Sequence, residues 1–183
     1  MFNIITSRDF LWKLEADFDE FAKEPHSTRL ALNCALTAYH LHEWVWGDWL
    51  KTDYATWKKL GIRDKDSFLA WIDKACPWFS TIQELTNGTK HFGATTFSTE
   101  FAVSPLYVYG EPATEYDQGY PKPYVADGGK GHLLIDFGRD TGPHRWQIAG
   151  ALIDAVVRFW REFFFRYHPD PDIRGEVRDW RLQ

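Results

Sequence analysis

A long central helix is predicted by the sequence STRLALNCALTAYHLHEWVWGDWL, which runs from Ser27 to Leu50. Ser27 or Thr28 can cap its first turn. Its Ala and Leu residues favour a helix, and its Trp residues add a large apolar surface. We therefore expect this helix to be the central element of a helical bundle.

The residues before the central helix predict a first amphipathic helix. Ser7 can cap it, and Pro25 stops it shortly before the central helix begins. The apolar residues at helical spacing are Phe10, Leu11, Leu14, Phe18 and Phe21. This face should pack against the core.

Three shorter helices are predicted after the central one. They cover residues 54–60, 64–75 and 77–85. Asp53 is the expected cap of the first, and Gly61 stands where helices often end in a left-handed residue. Asn87-Gly88 is the expected end of the third.

From Gly93 onward the spacing of the apolar residues changes from a helical to a strand-like pattern. Strand-like order is found at residues 95–103, 106–109 and 132–137. Between them, the segment 111–131 is rich in Pro and Gly and poor in apolar residues, which predicts an exposed loop. The region from about 93 to 140 is therefore expected to be a small antiparallel β-hairpin or meander.

A last long helix is predicted from about 143 to 167, since Thr141-Gly-Pro143 is a favourable helix start. Pro169 ends it, and a charged tail follows. The predicted fold is mainly α: an up-and-down helical bundle of one domain, residues 1–183. Helices extend to about residue 92, and the β-hairpin region lies before the last long helix.

Composition excludes some classes of protein. The chain has 183 residues and a net charge of −5, which argues against a strong phosphate-binding surface but leaves room for a local basic patch. No apolar run is long enough to span a bilayer, and no secretory signal is found, so we expect a soluble, cytoplasmic protein. In a reducing compartment Cys34 and Cys76 should be free, packed thiols.

The first candidate site lies on the central helix. His40 and Glu43 are three residues apart, a spacing at which a carboxylate can polarise an imidazole or both can bind one metal. Asn33 falls on the same stripe. The alternative is a solvated polar face with a weak local pair. His42 lies on the opposite, apolar side and is expected to be a packed core histidine.

The second candidate site is Asn87-Gly-Thr-Lys90-His91, at the junction of a helix and the first predicted strand. Lys90 could stabilise an anion and His91 could act as general acid and base. The alternative is structural, because Asn87-Gly88 can form the turn and Lys90 can offset the helix dipole.

A metal centre would need both candidate sites to converge. Two histidines and one carboxylate, His40, Glu43 and His91, would be sufficient for iron, manganese or zinc. Nothing in the sequence requires this approach. The dinucleotide, P-loop, hydrolase and zinc-protease motifs are missing.

The string Ala38-Tyr-His40-Leu-His-Glu43-Trp44, followed by Asn87-Gly-Thr-Lys90-His91, resembles an uncharacterised family of small bacterial proteins. These proteins share a His-x-x-acidic-Trp segment and an Asn-x-x-Lys-His segment. The resemblance draws attention to His40, Glu43, Asn87, Lys90 and His91 without assigning their roles, and it brings no activity. The residues predicted to bind a ligand or partner are Asn33, Trp44 and Asn87.

The helical arrangement is also distantly similar to HEPN domains, many of which cleave RNA or accompany toxin and defence systems. Those nucleases use an Arg followed four to six residues later by His. No such pair lies on a predicted helix here: Arg29 is too far from His40, and Arg166 is too close to His168.

Three functional hypotheses follow. The preferred one is a noncatalytic module of a bacterial cytoplasmic system, which binds a protein partner, a second copy of itself or a small apolar ligand. The second is a HEPN-like ribonuclease or defence component. The third is a mononuclear metal-dependent enzyme. An exposed aromatic patch would favour the first, and convergence of the polar side chains in a cleft would favour the others.

Overall fold

Most of the described chain is helical. The structure is a computed structural model that describes residues 4–90, 116–117, 120–121, 133–137 and 146–179. Its helices are α1 (Ser7–Lys23), α2 (Thr28–Asp48), α3 (Tyr54–Leu60), α4 (Lys65–Ala75), α5 (Phe79–Lys90), α6 (Ala149–Tyr167) and α7 (Pro171–Asp179), with a 3-10 turn at Leu50–Thr52. Its strands are β1 (Tyr116–Asp117), β2 (Tyr120–Pro121), β3 (Leu134–Asp136) and β4 (Trp146–Ile148). The predicted mainly helical bundle with a small antiparallel β element is confirmed.

The central helix α2 and the short helix α3 begin where the sequence predicts. The Ser27 hydroxyl accepts from the backbone N–H of Leu30 at the start of α2. The Asp53 carboxylate accepts from Thr56 N over 3.0 Å, and Gly61 ends α3 with φ of +70°. These signals act within one turn of the chain, which is why the sequence reveals them.

The cap of α1 differs from the prediction. Thr6, not Ser7, is the N-cap, and it forms a capping box with Asp9. Ser7 is buried instead, and both its N–H and its hydroxyl donate to the Asp48 carboxylate over 2.8 Å. The start of α1 is therefore fixed to the end of α2.

Helix α5 passes through the predicted Asn87-Gly88 turn and continues to Lys90, so the expected end at residue 85 is wrong. Tertiary packing overrides the local turn signal. Leu85 and Thr86 are buried, and the Thr86 hydroxyl donates to the Ala35 carbonyl oxygen over 3.4 Å. Three residues earlier, Gln83 donates to the Tyr39 hydroxyl over 3.1 Å. These contacts show that α5 runs antiparallel to α2.

The strand predicted at residues 132–137 is confirmed as β3, which pairs with β4 in antiparallel register, Ile135 opposite Gln147. β4 occupies residues predicted to be helical, so α6 begins at Ala149 and not near residue 143. The pairing is a long-range contact that the local Pro signal does not report. Beside β3, Leu133 N donates to the Pro25 carbonyl oxygen over 2.9 Å, which ties the hairpin to the α1–α2 turn.

The remaining segments refine the prediction further. Within the segment predicted to be a loop, β1 and β2 pair in antiparallel fashion. The charged tail contains α7, whose first turn is capped by Asp170, since its carboxylate accepts from Asp172 N over 2.9 Å. The strands predicted at residues 95–103 and 106–109 lie outside the described residues.

The core is built from aromatic rings of several helices. Fully buried rings come from α1, α4, α5 and α6: Phe21, Phe68, Phe79, Trp160, Phe163 and Phe164. Cys34 and Cys76 are free and buried among them, as predicted. None of the helices in the described part of the chain combines the length and hydrophobicity that crossing a bilayer requires.

Candidate functional site

The first candidate pair, His40 and Glu43, lies on the exposed face of α2. His40 Nδ1 is 3.4 Å from Glu43 Oε2, so the predicted side-by-side placement is confirmed. The second carboxylate oxygen of Glu43 accepts from Lys65 Nζ over 2.8 Å. This hydrogen bond is the main reason that the pKa of Glu43 lies below its usual value. An ionised carboxylate held by a lysine is a weak proton acceptor.

Glu43 also borders an open groove between the start of α1 and the last turns of α2. The groove has a volume of about 440 Å³. Its lining residues are Ile5, Glu43, Trp44, Gly47 and Asp48. We call it the Ile5–Trp44 groove. It joins two of the predicted site residues, Glu43 and Trp44, in one surface depression.

Trp44 forms a rigid wall of this groove. Its ring stacks on Phe10 of α1, with the ring centroids 4.8 Å apart and the planes 13° from parallel. An aromatic pair in contact contributes about 0.5–1.5 kcal/mol beyond its area burial, which favours this position of the Trp44 ring. Ile5, which also lines the groove, is 80% exposed. The groove therefore presents apolar surface that nothing in the described chain covers.

Gly47 forms part of the groove between the two carboxylates. It lies in the last turn of α2, and an added Cβ would meet no atom within 4 Å. The helix is therefore open to solvent at this position, and a side chain placed here would extend into the groove without a clash.

Asp48 was missed by the sequence analysis. Its carboxylate holds the start of α1 through Ser7, and it also lines the groove. An acidic residue in the last turn of a helix opposes the helix dipole, so its position was a signal of a tertiary role. Ile5 gave no such signal, because it precedes the first helix.

The other predicted residues lie away from the groove. Asn33 is two turns before His40 on α2, roughly 10 Å along the helix axis. Asn87 is exposed on α5, and Lys90 ends that helix. Because Gln83 of antiparallel α5 contacts Tyr39, the Lys90 backbone lies roughly 12 Å along the α2 axis from the level of His40.

The structure therefore does not bring Lys90 together with His40 and Glu43. His91 lies outside the described residues, so the metal triad of His40, Glu43 and His91 stays a prediction. Within the described residues, no group of three His, Cys, Asp or Glu side chains is arranged to hold a metal ion.

Several polar groups in the interior have structural roles. His42 is buried, and its Nδ1–H donates to the Tyr39 carbonyl oxygen over 2.5 Å, which confirms the predicted core histidine. Burial lowers the pKa of His42. Burial also raises the pKa of Cys34 to about 12 and that of Cys76 to about 11, so neither thiol is an activated nucleophile.

Comparison of the chain with protein-family models, curated proteins and solved structures found no match. The resemblances to a bacterial family and to HEPN domains stay predictions. Function must therefore be argued from the geometry of the described residues.

Proposed function

We propose that the protein is a noncatalytic binding module whose Ile5–Trp44 groove holds a segment of a protein partner. The observation that carries this proposal is the groove itself, in which an exposed aliphatic side chain faces a fixed tryptophan ring between two carboxylates. The lining of the groove is about half polar and half apolar, a mixture like that of partner sites in which apolar contacts and charged groups act together.

The chemistry of the groove indicates the kind of segment that it fits. Covering an exposed Ile side chain contributes about 2 kcal/mol of apolar transfer free energy. Because Lys65 already pairs with Glu43, attraction for a partner's cation at the edge of the groove comes mainly from the Asp48 carboxylate. The expected occupant is a peptide segment with an aliphatic or aromatic residue beside a lysine or arginine.

The open shape of the groove favours a protein partner over a small apolar ligand. Among the described residues, core rings pack against one another: Phe163 contacts Trp49, Phe68 and Trp160 at centroid distances of 5.6 to 6.0 Å. A small-molecule site is usually an enclosed, largely apolar cavity. The open groove with carboxylates on its rim differs from that description.

The same residues favour binding over catalysis. The lowered pKa of Glu43 leaves it ionised and held by Lys65, and the two thiols are not activated. The free, buried thiols support a reducing compartment, and we place the module in a bacterial cytoplasm as part of the same proposal.

The test is a selection of peptides from a phage-displayed library against the immobilised protein, followed by calorimetric titration of the enriched sequences. The key variant is Gly47→Gln, which fills the groove at a position with free space. Its matched control is Ala70→Gln, at an exposed position of α4. Both substitutions place the same side chain on the surface of a helix.

We expect enriched peptides with an apolar residue next to a basic one, and a Kd at least tenfold weaker for Gly47→Gln. Ala70→Gln should bind as the wild type does. Peptides that bind Gly47→Gln with unchanged affinity, or a library that yields no binder, would overturn the proposal.

A further inference from the structure

A segment around α3 is basic, although the net charge of the whole chain is negative. Residues 51–65 contain five lysine or arginine residues and two aspartates, whereas the whole chain has 21 basic and 26 acidic residues. The segment is therefore locally positive in an acidic protein. This surface is separate from the Ile5–Trp44 groove, and the inference below goes beyond the proposed function.

The same segment carries an exposed aromatic ring. Tyr54 is 70% exposed at the start of α3. Lys58 follows four residues later and so lies on the same face of the helix. Lys51, in the preceding 3-10 turn, and Lys59 are also exposed. The exposed ring therefore has one lysine, Lys58, on its own helix face, and two further exposed lysines close to it in the sequence.

The ring of Tyr54 rests on a fixed support. It contacts Trp57 edge to face, with the centroids 5.0 Å apart. Trp57 stacks on Trp46 of α2 at 5.3 Å, and its indole N–H donates to the Leu50 carbonyl oxygen over 2.6 Å. Tyr54 is therefore an exposed platform at the end of a row of rings that leads into the core.

The acidic residues of the segment cap helices, although Asp53 keeps its charge beside Tyr54 and interacts with Lys59. Asp53 accepts from Thr56 N at the start of α3, and Asp64 accepts from Ser67 N over 2.7 Å at the start of α4. Among the cations, Lys65 is held by Glu43. Arg63 lies 3.8 Å from Asp64 and is 90% exposed, so it stays largely in solvent.

We propose that this surface, formed by Lys51, Tyr54, Lys58 and Lys59, binds single-stranded nucleic acid. An unpaired base can stack on the Tyr54 ring while the lysines contact the phosphates on either side. A duplex would not present a free base face to the ring. An acidic protein segment would use the lysines and leave the ring without a stacking partner, which is why we prefer the nucleic acid.

The test is fluorescence anisotropy of labelled 15-nucleotide oligo(U) and oligo(dT) with the full chain, at salt concentrations from 50 to 200 mM. With only a few phosphate contacts, we expect a Kd of about 10–100 μM at low salt. A comparison of the Kd for oligo(U) with the Kd for oligo(dT) shows whether the surface prefers RNA or DNA.

Three variants separate the contribution of the lysines to binding from that of the Tyr54 ring. Lys58→Glu/Lys59→Glu should weaken binding at least tenfold and reduce the salt slope by about 1.4, since each lost phosphate contact accounts for about 0.7. Tyr54→Ala should weaken binding at least fivefold, and Tyr54→Phe should retain it. The matched charge control, Lys23→Glu/Lys74→Glu, changes exposed lysines of α1 and α4 and should leave the salt slope unchanged.

Three results would overturn the proposal: no salt-dependent binding by the wild type, equal loss in the control double variant, or unchanged binding by Tyr54→Ala. Poly-glutamate that competes as well as the oligonucleotides would show that the surface binds acidic proteins instead. None of these variants touches the Ile5–Trp44 groove, so the failure of this proposal and that of the peptide-binding proposal are distinguishable.

Discussion

The indole N–H of Trp160 donates to the main-chain carbonyl oxygen of Ala38 over 2.9 Å, and both residues are completely buried. This hydrogen bond joins the middle of α6 to the middle of α2. A ring that large fits there because Ala38 presents only a methyl group. The contact explains how two long helices come close at the centre of the core.

Trp160→Phe should therefore destabilise the fold by about 2–3 kcal/mol, since it removes the donor and leaves a void in the core. The measurement is urea denaturation followed by circular dichroism. Trp12→Phe is the control, because Trp12 is 44% exposed, and it should change the free energy of unfolding by no more than about 0.5 kcal/mol. Equal effects of the two substitutions would contradict this role of Trp160.

A largely buried ion pair joins α1 to α6. Glu15 Oε1 accepts from Arg161 Nε over 2.7 Å, and burial raises the pKa of Glu15 although Arg161 opposes this. Arg161→Met should cost about 2–4 kcal/mol at pH 7, because it leaves a buried carboxylate without its cation. The double variant Glu15→Gln/Arg161→Met should recover part of that loss.

The cost of Arg161→Met should also depend on pH. The folded state binds the Glu15 proton at a higher pH than the unfolded state does, so lowering the pH toward 4.5 favours folding. The variant should lose less stability at pH 5 than at pH 7 in urea denaturation at both values. A penalty that does not change between them would show that Glu15 stays solvated.

His42 should make the fold sensitive to mild acid. Because burial lowers its pKa, the folded state keeps His42 neutral while the unfolded chain binds a proton below about pH 6.5. The contribution of His42 to the free energy of unfolding is therefore fully present above that pH. It decreases as the pH falls, by up to about 1.4 kcal/mol per pH unit.

His42→Leu should therefore show a shallower loss of stability than the wild type between pH 7 and pH 5, measured by urea denaturation. His26→Leu, at an exposed position, is the matched control and should keep the slope of the wild type. Identical slopes for all three proteins would mean that His42 takes up its proton in the folded state.

Two glycines at helix ends should respond in opposite ways to alanine. Gly61 has φ of +70°, so Gly61→Ala should cost about 1–2 kcal/mol. Gly88 lies within α5, so Gly88→Ala should stabilise the protein by about 0.5–1 kcal/mol. Thermal denaturation of both variants tests this. A destabilising Gly88→Ala would instead favour the turn that the sequence predicts there.

The sequence predicts the elements whose ends depend on near neighbours. Asp53 and Gly61 flank the seven residues of α3, and the sequence predicted both ends of this helix correctly. The end of α5 was missed, because Thr86 packs on a helix 51 residues earlier. The start of α6 was missed because β4 pairs with β3. A tertiary contact outweighs a local turn signal in the first case and a local helix-start signal in the second.

The candidate site likewise combines local contacts, which the sequence predicts, with tertiary contacts, which it does not. The spacing of His40 and Glu43 predicted their contact correctly, since neighbours on a helix face need no tertiary information. The contacts of Glu43 with Lys65 and of Asp48 with Ser7 join separate elements. The groove depends on both the α1–α2 packing and the exposed Ile5, so a linear reading of the chain could not reveal it.

The tie between Leu133 and Pro25 has a consequence for how the chain tolerates insertions. Antiparallel α5 brings Lys90 back to the first turns of α2, and Leu133 is fixed beside the turn that precedes α2. Both ends of the segment 91–132 are therefore anchored at one end of the bundle. A flexible insert between these two anchored ends would face a loop-closure cost that rises by only about 0.6 kcal/mol for each doubling of its own length. We therefore expect such an insert to leave the packing of the helices unchanged.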